Sequence, residues 1–111
     1  LSSGIDTRTA AGVPVLVDQA WGAHLGFHPA YPAHALALGA DAMVLSAHKT
    51  LPAYSQASVV AASTERLDAD RLDRAFELSA TTSPSGTIHA STDAARALLA
   101  SPLAIPTMFA S

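Results

Sequence analysis

The chain has 111 residues, a length that suits about one small domain. Half of it is hydrophobic, 14% is charged and the formal net charge is -3; the first figure excludes intrinsic disorder and the last excludes a basic nucleic-acid surface. Without cysteine there is no disulfide framework and no thiolate metal site, and no apolar run approaches the ~20 residues of a membrane span or forms a signal-peptide core, so the cytoplasm is the default address.

Leu1 to Gly12 is small and polar and reads as a loop, or as the frayed end of an element. Val13-Pro14-Val15-Leu16-Val17 is apolar and β-branched, bounded by Gly12 and Asp18, and predicts a buried strand without alternation, as in a parallel sheet. Ala20 to Pro32 is loop, given Gly22, Gly26, Pro29 and Pro32. Ala33 to Leu38 is a short helix candidate ended by Gly39. Ala42 to Ser46 predicts a second buried strand; Ala47 to Tyr54 turns, and Pro52 prevents continuation. Within Ser55 to Ala62 the run Ala57-Ser58-Val59-Val60-Ala61 predicts a third strand. Asp68 to Ser79 predicts an amphipathic helix with Leu72, Ala75, Phe76 and Ser79 on one face. Thr81 to Ser85 is a turn. Ile88 to Ala100 is a last helix, with Asp93 and Arg96 paired one turn apart, and the tail from Ser101 is irregular.

Strand, loop, helix and strand together predict an α/β fold built on a parallel pair. The apolar excess is larger than a small domain can cover, and the first residue is Leu, not Met. Both features suggest a piece of a larger domain, or a chain that buries surface in a partner.

Lys49 is the only lysine and sits just past the second strand, in Ser46-Ala47-His48-Lys49-Thr50. Ligands of open α/β sheets bind at that carboxyl edge. An amine there can condense with a carbonyl, although most lysines are simply solvated. Asp18 ends the neighbouring strand at the same edge, where a carboxylate can keep a heterocyclic nitrogen protonated or can merely cap the loop. His24, His28 and His34 invite a metal reading, but Gly26 and Pro29 break the helix it needs, and loop packing is the better account. There is no Gly-x-Ser-x-Gly elbow and no phosphate-cradling P-loop. Ser46, Thr82, Ser83 and Ser85 are scattered hydroxyls able to bind one phosphate, and Gln19 carries no special signal.

Three segments, Val15-Leu16-Val17-Asp18-Gln19-Ala20-Trp21-Gly22-Ala23-His24, Ser46-Ala47-His48-Lys49-Thr50-Leu51-Pro52-Ala53-Tyr54-Ser55-Gln56-Ala57-Ser58 and Thr81-Thr82-Ser83-Pro84-Ser85, resemble the Orn/Lys/Arg decarboxylase family in order and spacing. The match is strongest over residues 10–100, the middle segment being the most specific. The resemblance implies a partial three-layer sheet with helices, a fragment of the large domain of pyridoxal-phosphate enzymes with the aspartate-aminotransferase-like fold. It makes residues 1–111 part of that domain, without the upstream segment and the small C-terminal domain that family members also use.

It implies a role for each matching residue. Lys49 forms the Schiff base with pyridoxal phosphate, Asp18 pairs with the ring nitrogen, Ala20 packs on the ring face, and Trp21 lies near the phenolic oxygen. Ser46 and His48 reach the phosphate, and Thr82 and Ser83 approach the phosphate of a neighbouring subunit, which implies a homodimer or higher assembly. Trp21 stands where many relatives have His. The third strand would be antiparallel, against the parallel reading of the pattern alone. The implied activity is decarboxylation of a basic amino acid. Two readings compete with it: an aminotransferase or lyase of the same fold, and a catalytically silent fragment that associates with partner chains through exposed sheet edges.

Overall fold

The structure is a computed structural model and describes residues 2–63, 65–79 and 83–101. Chain order is α1 (Ser2–Ala10), β1 (Leu16–Asp18), β2 (Ala42–Ser46), α2 (Ala47–Thr50), β3 (Ser58–Ala62), α3 (Ala69–Ser79) and α4 (Gly86–Leu99).

Helix α1 replaces the loop or frayed end expected before Gly12. It has no apolar stripe for periodicity to detect. One side chain, Ile5, anchors it in the core at 2% exposure. Gly12, with φ of 72°, ends it by turning the chain through the left-handed region.

Strand β1 begins later than the apolar run suggested. Pro14 has no N–H to give a ladder, and the Val15 N–H donates to the Asp41 carboxylate at 2.7 Å. From Leu16 the chain pairs in parallel with β2, Leu16 opposite Ala42 and Asp18 opposite Val44. Strand β3 pairs with β2 on the other side and is antiparallel, Leu45 opposite Val59 and Ser46 opposite Ser58. The purely parallel reading is thus corrected, in favour of the mixed sheet β1-β2-β3 that the family pattern implied. The physical reason is length: the 47–57 connection is too short for a parallel crossover, which takes about a dozen residues or more.

The helix expected over 33–38 is a pair of tight hydrogen-bonded turns, Leu38 N–H to Ala35 and Gly39 N–H to Leu36. Pro32 and Gly39 leave room for little more than one turn, which closes by three-residue bonds, and the Ala35 N–H is held by the Gln19 side chain. Gly39 holds φ of 98°, and a Cβ there would lie 3.7 Å from Ile5. Gly39→Ala is therefore expected to cost about 1–2 kcal/mol of stability, from backbone strain and not from crowding. Urea denaturation of the two proteins measures it.

The core lies on one face of the sheet. Ile5, Val15, Ala35, Ala40 and Met43 are buried there, with Val17, Leu36, Leu38, Leu45 and Ala61 packed against them. On the opposite face Leu16, Val44 and Val60 are 67%, 43% and 42% exposed. The unalternating apolar runs predicted strands buried on both sides, and the described residues cover only one. Helix α3 starts where Asp68 accepts the Arg71 N–H at 3.0 Å, but its apolar stripe is not buried, and Phe76 is 57% exposed. Helix α4 is capped by Ser85, buries Ala95 and Leu99, and carries the expected Asp93–Arg96 pair at 2.9 Å. Among the described residues no helix is long and apolar enough to cross a membrane.

Candidate active site

The parallel pairing of β1 and β2 puts their carboxyl ends side by side, neighbouring strands being about 4.8 Å apart. Asp18 is the last residue of β1. Ser46 is the last of β2, on the same face of the sheet as Asp18, because Asp18 pairs with Val44. The chain then turns directly into α2, which carries His48 and Lys49. Two cross-strand bonds close the edge: the Gln19 N–H donates to the Val44 carbonyl at 2.9 Å, and the Ser46 N–H to the Ala20 carbonyl at 3.3 Å.

Each side chain at this edge has a defined environment. Asp18 is exposed, and its Oδ1 accepts the Ala20 N–H at 3.1 Å. This is the loop-capping geometry weighed from the sequence, and it leaves the second oxygen free for another partner. The Lys49 Nζ lies 5.1 Å from the centre of the Trp21 ring. That contact is worth about 0.5–1 kcal/mol between exposed groups, and Lys49 makes no ion pair among the described residues. His48 Nδ1 is 2.9 Å from the Ala57 carbonyl. A carbonyl can only accept, so Nδ1 carries the proton and Nε2 is left for a ligand. Ser46 makes no side-chain cap to α2. Ala20 is half-buried in the turn between Asp18 and Trp21.

Asp18, Ala20, Trp21, Ser46, His48 and Lys49 thus converge on one end of the β1–β2 pair. Ser83 does not join them: it lies on the wall of a separate cleft of about 880 Å³, lined also by Phe27, Leu45, Val59, Phe76 and Ile88. Neither Asp18 nor Lys49 borders that cleft. Thr82, the other residue expected to reach a phosphate, falls outside the described residues. The loop histidines are engaged locally. His28 Nδ1 accepts the Ala30 N–H at 3.0 Å, His34 Nδ1 the Ala37 N–H at 3.3 Å, and His24 meets Tyr31 edge-on at 4.9 Å.

Two buried polar residues escaped the sequence reading, Gln19 next to Asp18 and Asp41 at the opposite, amino end of β2. Gln19 is 9% exposed and Asp41 1% exposed. Gln19 is the residue whose side chain bonds both Gly22 and Ala35. Asp41 receives the Val15 N–H and the Arg66 guanidinium, both at 2.7 Å. A polar residue against an unalternating apolar run was the available signal for each of them.

A primary amine, a carboxylate on the adjacent strand and an imidazole therefore lie at one end of a parallel strand pair in an α/β domain. The matching family model is the major domain of Orn/Lys/Arg decarboxylases, over residues 2–103, and the chain belongs to that family. It is 45% identical over 87 residues to the uncharacterized protein YaaO of Bacillus subtilis (strain 168), covering 78% of this chain and 18% of that protein. It is 41% identical over 88 residues to an arginine decarboxylase of Halalkalibacterium halodurans, covering 79% and 18%. With an arginine decarboxylase of Bacillus subtilis it shares 36% over 100 residues, covering 90% and 20%. The chain spans about a fifth of the length of these relatives.

Proposed function

We propose that this chain is the cofactor-binding core of a pyridoxal-phosphate-dependent decarboxylase of a basic amino acid, arginine first among the candidates. The observation that carries the proposal is the placing of Lys49 and Asp18 at the carboxyl ends of adjacent parallel strands. The naming of two similar proteins as arginine decarboxylases supports the substrate class. In this reading the sheet is the central part of an aspartate-aminotransferase-like large domain, working in the cytoplasm as a dimer or higher assembly.

The residues fit the cofactor. Among the described residues Lys49 makes no ion pair and one Asp18 oxygen has no hydrogen bond, and His48 Nδ1 is directed at Ala57. When bound, pyridoxal phosphate supplies an aldehyde that condenses with amines and a ring that takes up the electron pair left when carbon dioxide departs. Lys49 is the residue that holds the aldehyde, and it is the donor that returns a proton to the substrate's α-carbon. Asp18 holds the ring nitrogen in its protonated form, because an opposite charge within ~4–6 Å favours the charged state. Ala20 gives the ring a small apolar face. Trp21, which here lies against the Lys49 ammonium, would border the phenolic oxygen. Ser46 and His48 Nε2 would hold the phosphate, with Thr82 and Ser83 assigned to the phosphate of a neighbouring subunit.

The test is covalent capture. The protein is mixed with pyridoxal phosphate, reduced with borohydride and mapped by peptide mass spectrometry. The label is expected on Lys49, and Lys49→Ala is expected to lose it. A wild-type protein that stays unlabelled overturns the reading.

A further inference from the structure

We propose that Gln19 is the positioning residue of this site: its buried side chain ties the turn bearing Asp18, Ala20 and Trp21 to the 35–40 turns, while its backbone N–H ties the same turn to β2, the strand that leads into Lys49. The inference rests on the reading of Lys49 and Asp18 given above. Gln19 uses all its polar groups. The side-chain oxygen accepts the Ala35 N–H at 2.8 Å, and the side-chain nitrogen donates to the Gly22 carbonyl at 3.0 Å. Its own N–H donates to Val44 and its own carbonyl accepts from Gly22, each at 2.9 Å. One residue therefore joins three segments: the 18–22 turn, β2 and the 35–40 turns.

The side chain also curls over Gly22. A Cβ there would stand 2.5 Å from Gln19 Cγ, so the fourth residue of Gln-Ala-Trp-Gly must lack one. The amide has the right pair of groups, an acceptor toward Ala35 and a donor toward Gly22. An ionised carboxylate of the same shape offers two acceptors, and the one facing the Gly22 carbonyl is repelled. A protonated carboxyl restores the donor. Gln19→Glu is thus a variant in which the clamp can be opened and closed by pH at constant volume. The titratable groups on the surrounding segments are Asp18 beside it, His24 in the following loop, and His34 and Asp41 around the 35–40 turns; wild type and Gln19→Met control for their titration.

Trp21 is the only tryptophan, and it lies against Lys49. Its emission therefore reports whether the turn keeps its place, with Lys49→Met giving the signal of a lost contact. In the full chain at neutral pH, Gln19→Glu is expected to show the Lys49→Met emission and to lose about tenfold in the rate of borohydride-trapped labelling of Lys49 by pyridoxal phosphate. Near about pH 5 its emission returns to that of wild type, since burial and a bond made only by the neutral form lift the new carboxyl above its ordinary ~4.3. Gly22→Ala, which displaces an intact Gln19, shows the altered emission at both pH values. If Gln19→Glu is unfolded at neutral pH, its refolded state near pH 5 and Gly22→Ala decide. Emission and labelling that match wild type in both variants overturn the proposal. A wild-type protein that takes no label overturns the cofactor reading instead, and the emission comparison still decides whether Gln19 sets the turn.

Discussion

In the proposed decarboxylase, Asp18→Asn is expected to lower turnover on the order of 10³-fold while leaving the covalent capture of pyridoxal phosphate at Lys49 in place. The substitution preserves shape. Asparagine keeps an oxygen to accept the Ala20 N–H that Asp18 Oδ1 now receives at 3.1 Å, so the turn into Trp21 stays formed. What is lost is the negative charge at the end of β1. Condensation of the aldehyde with an amine does not need that charge. Departure of carbon dioxide does, because a neutral pyridine is a much poorer acceptor of the electron pair than a pyridinium. The two measurements therefore separate. Turnover falls and trapped label persists if Asp18 serves the ring nitrogen. An equal loss of both makes Asp18 a loop-capping residue, and unchanged turnover removes it from the chemistry.

The placement of the candidate site was legible because its residues sit in contiguous motifs at strand ends. Asp18 closes β1, and Ser46 through Lys49 runs directly out of β2, so locating the two strands located the two halves of the site. Strand β2 could be read to the residue because Gly39 and Asp41 bound it and nothing interrupts it. Strand β1 was read early, since Val13 to Val17 is apolar throughout, and neither Pro14 nor the capture of the Val15 N–H by Asp41 shows in hydropathy. Helix α1 was missed because one buried residue, Ile5, makes no period. The open face carrying Leu16, Val44 and Val60 was misread for the opposite reason. An unalternating run states that both faces are suited to burial, and says nothing of whether this stretch of chain supplies the cover. Gln19 was passed over because its meaning lies in Gly22 and Ala35, which are its neighbours only after the chain has turned.

Asp41→Ala is expected to be the most damaging single change to the fold, lowering the thermal midpoint by about 10 °C at neutral pH. Asp41 grips the entry to β1 from both sides of its residue. Its carboxylate takes the Val15 N–H and the Arg66 guanidinium, its N–H donates to the Val15 carbonyl at 2.8 Å, and its carbonyl accepts the Ser63 N–H at 2.7 Å. Arg66 reaches on to the Gly39 carbonyl at 3.1 Å, which fixes the turn before β2. Removing the carboxylate leaves a backbone donor without a partner and a guanidinium facing nothing. It also frees the register that sets Asp18 opposite Val44, so labelling at Lys49 should weaken with the fold. The Val15 N–H is the largest influence holding this carboxyl below its ordinary value of 3.8; burial opposes it, and Arg66 adds to it. A carboxyl whose folded value lies below its unfolded one stabilises fully above 3.8 and loses that contribution as the pH falls through the lower, folded value. Asp41→Asn, isosteric but with an amide nitrogen facing either Val15 or Arg66, has no such proton to take up. The difference in midpoint between wild type and Asp41→Asn should therefore be constant across neutral pH and shrink below 3.8. A difference that stays constant into that acid range would show that the carboxylate's charge does not hold β1 in place.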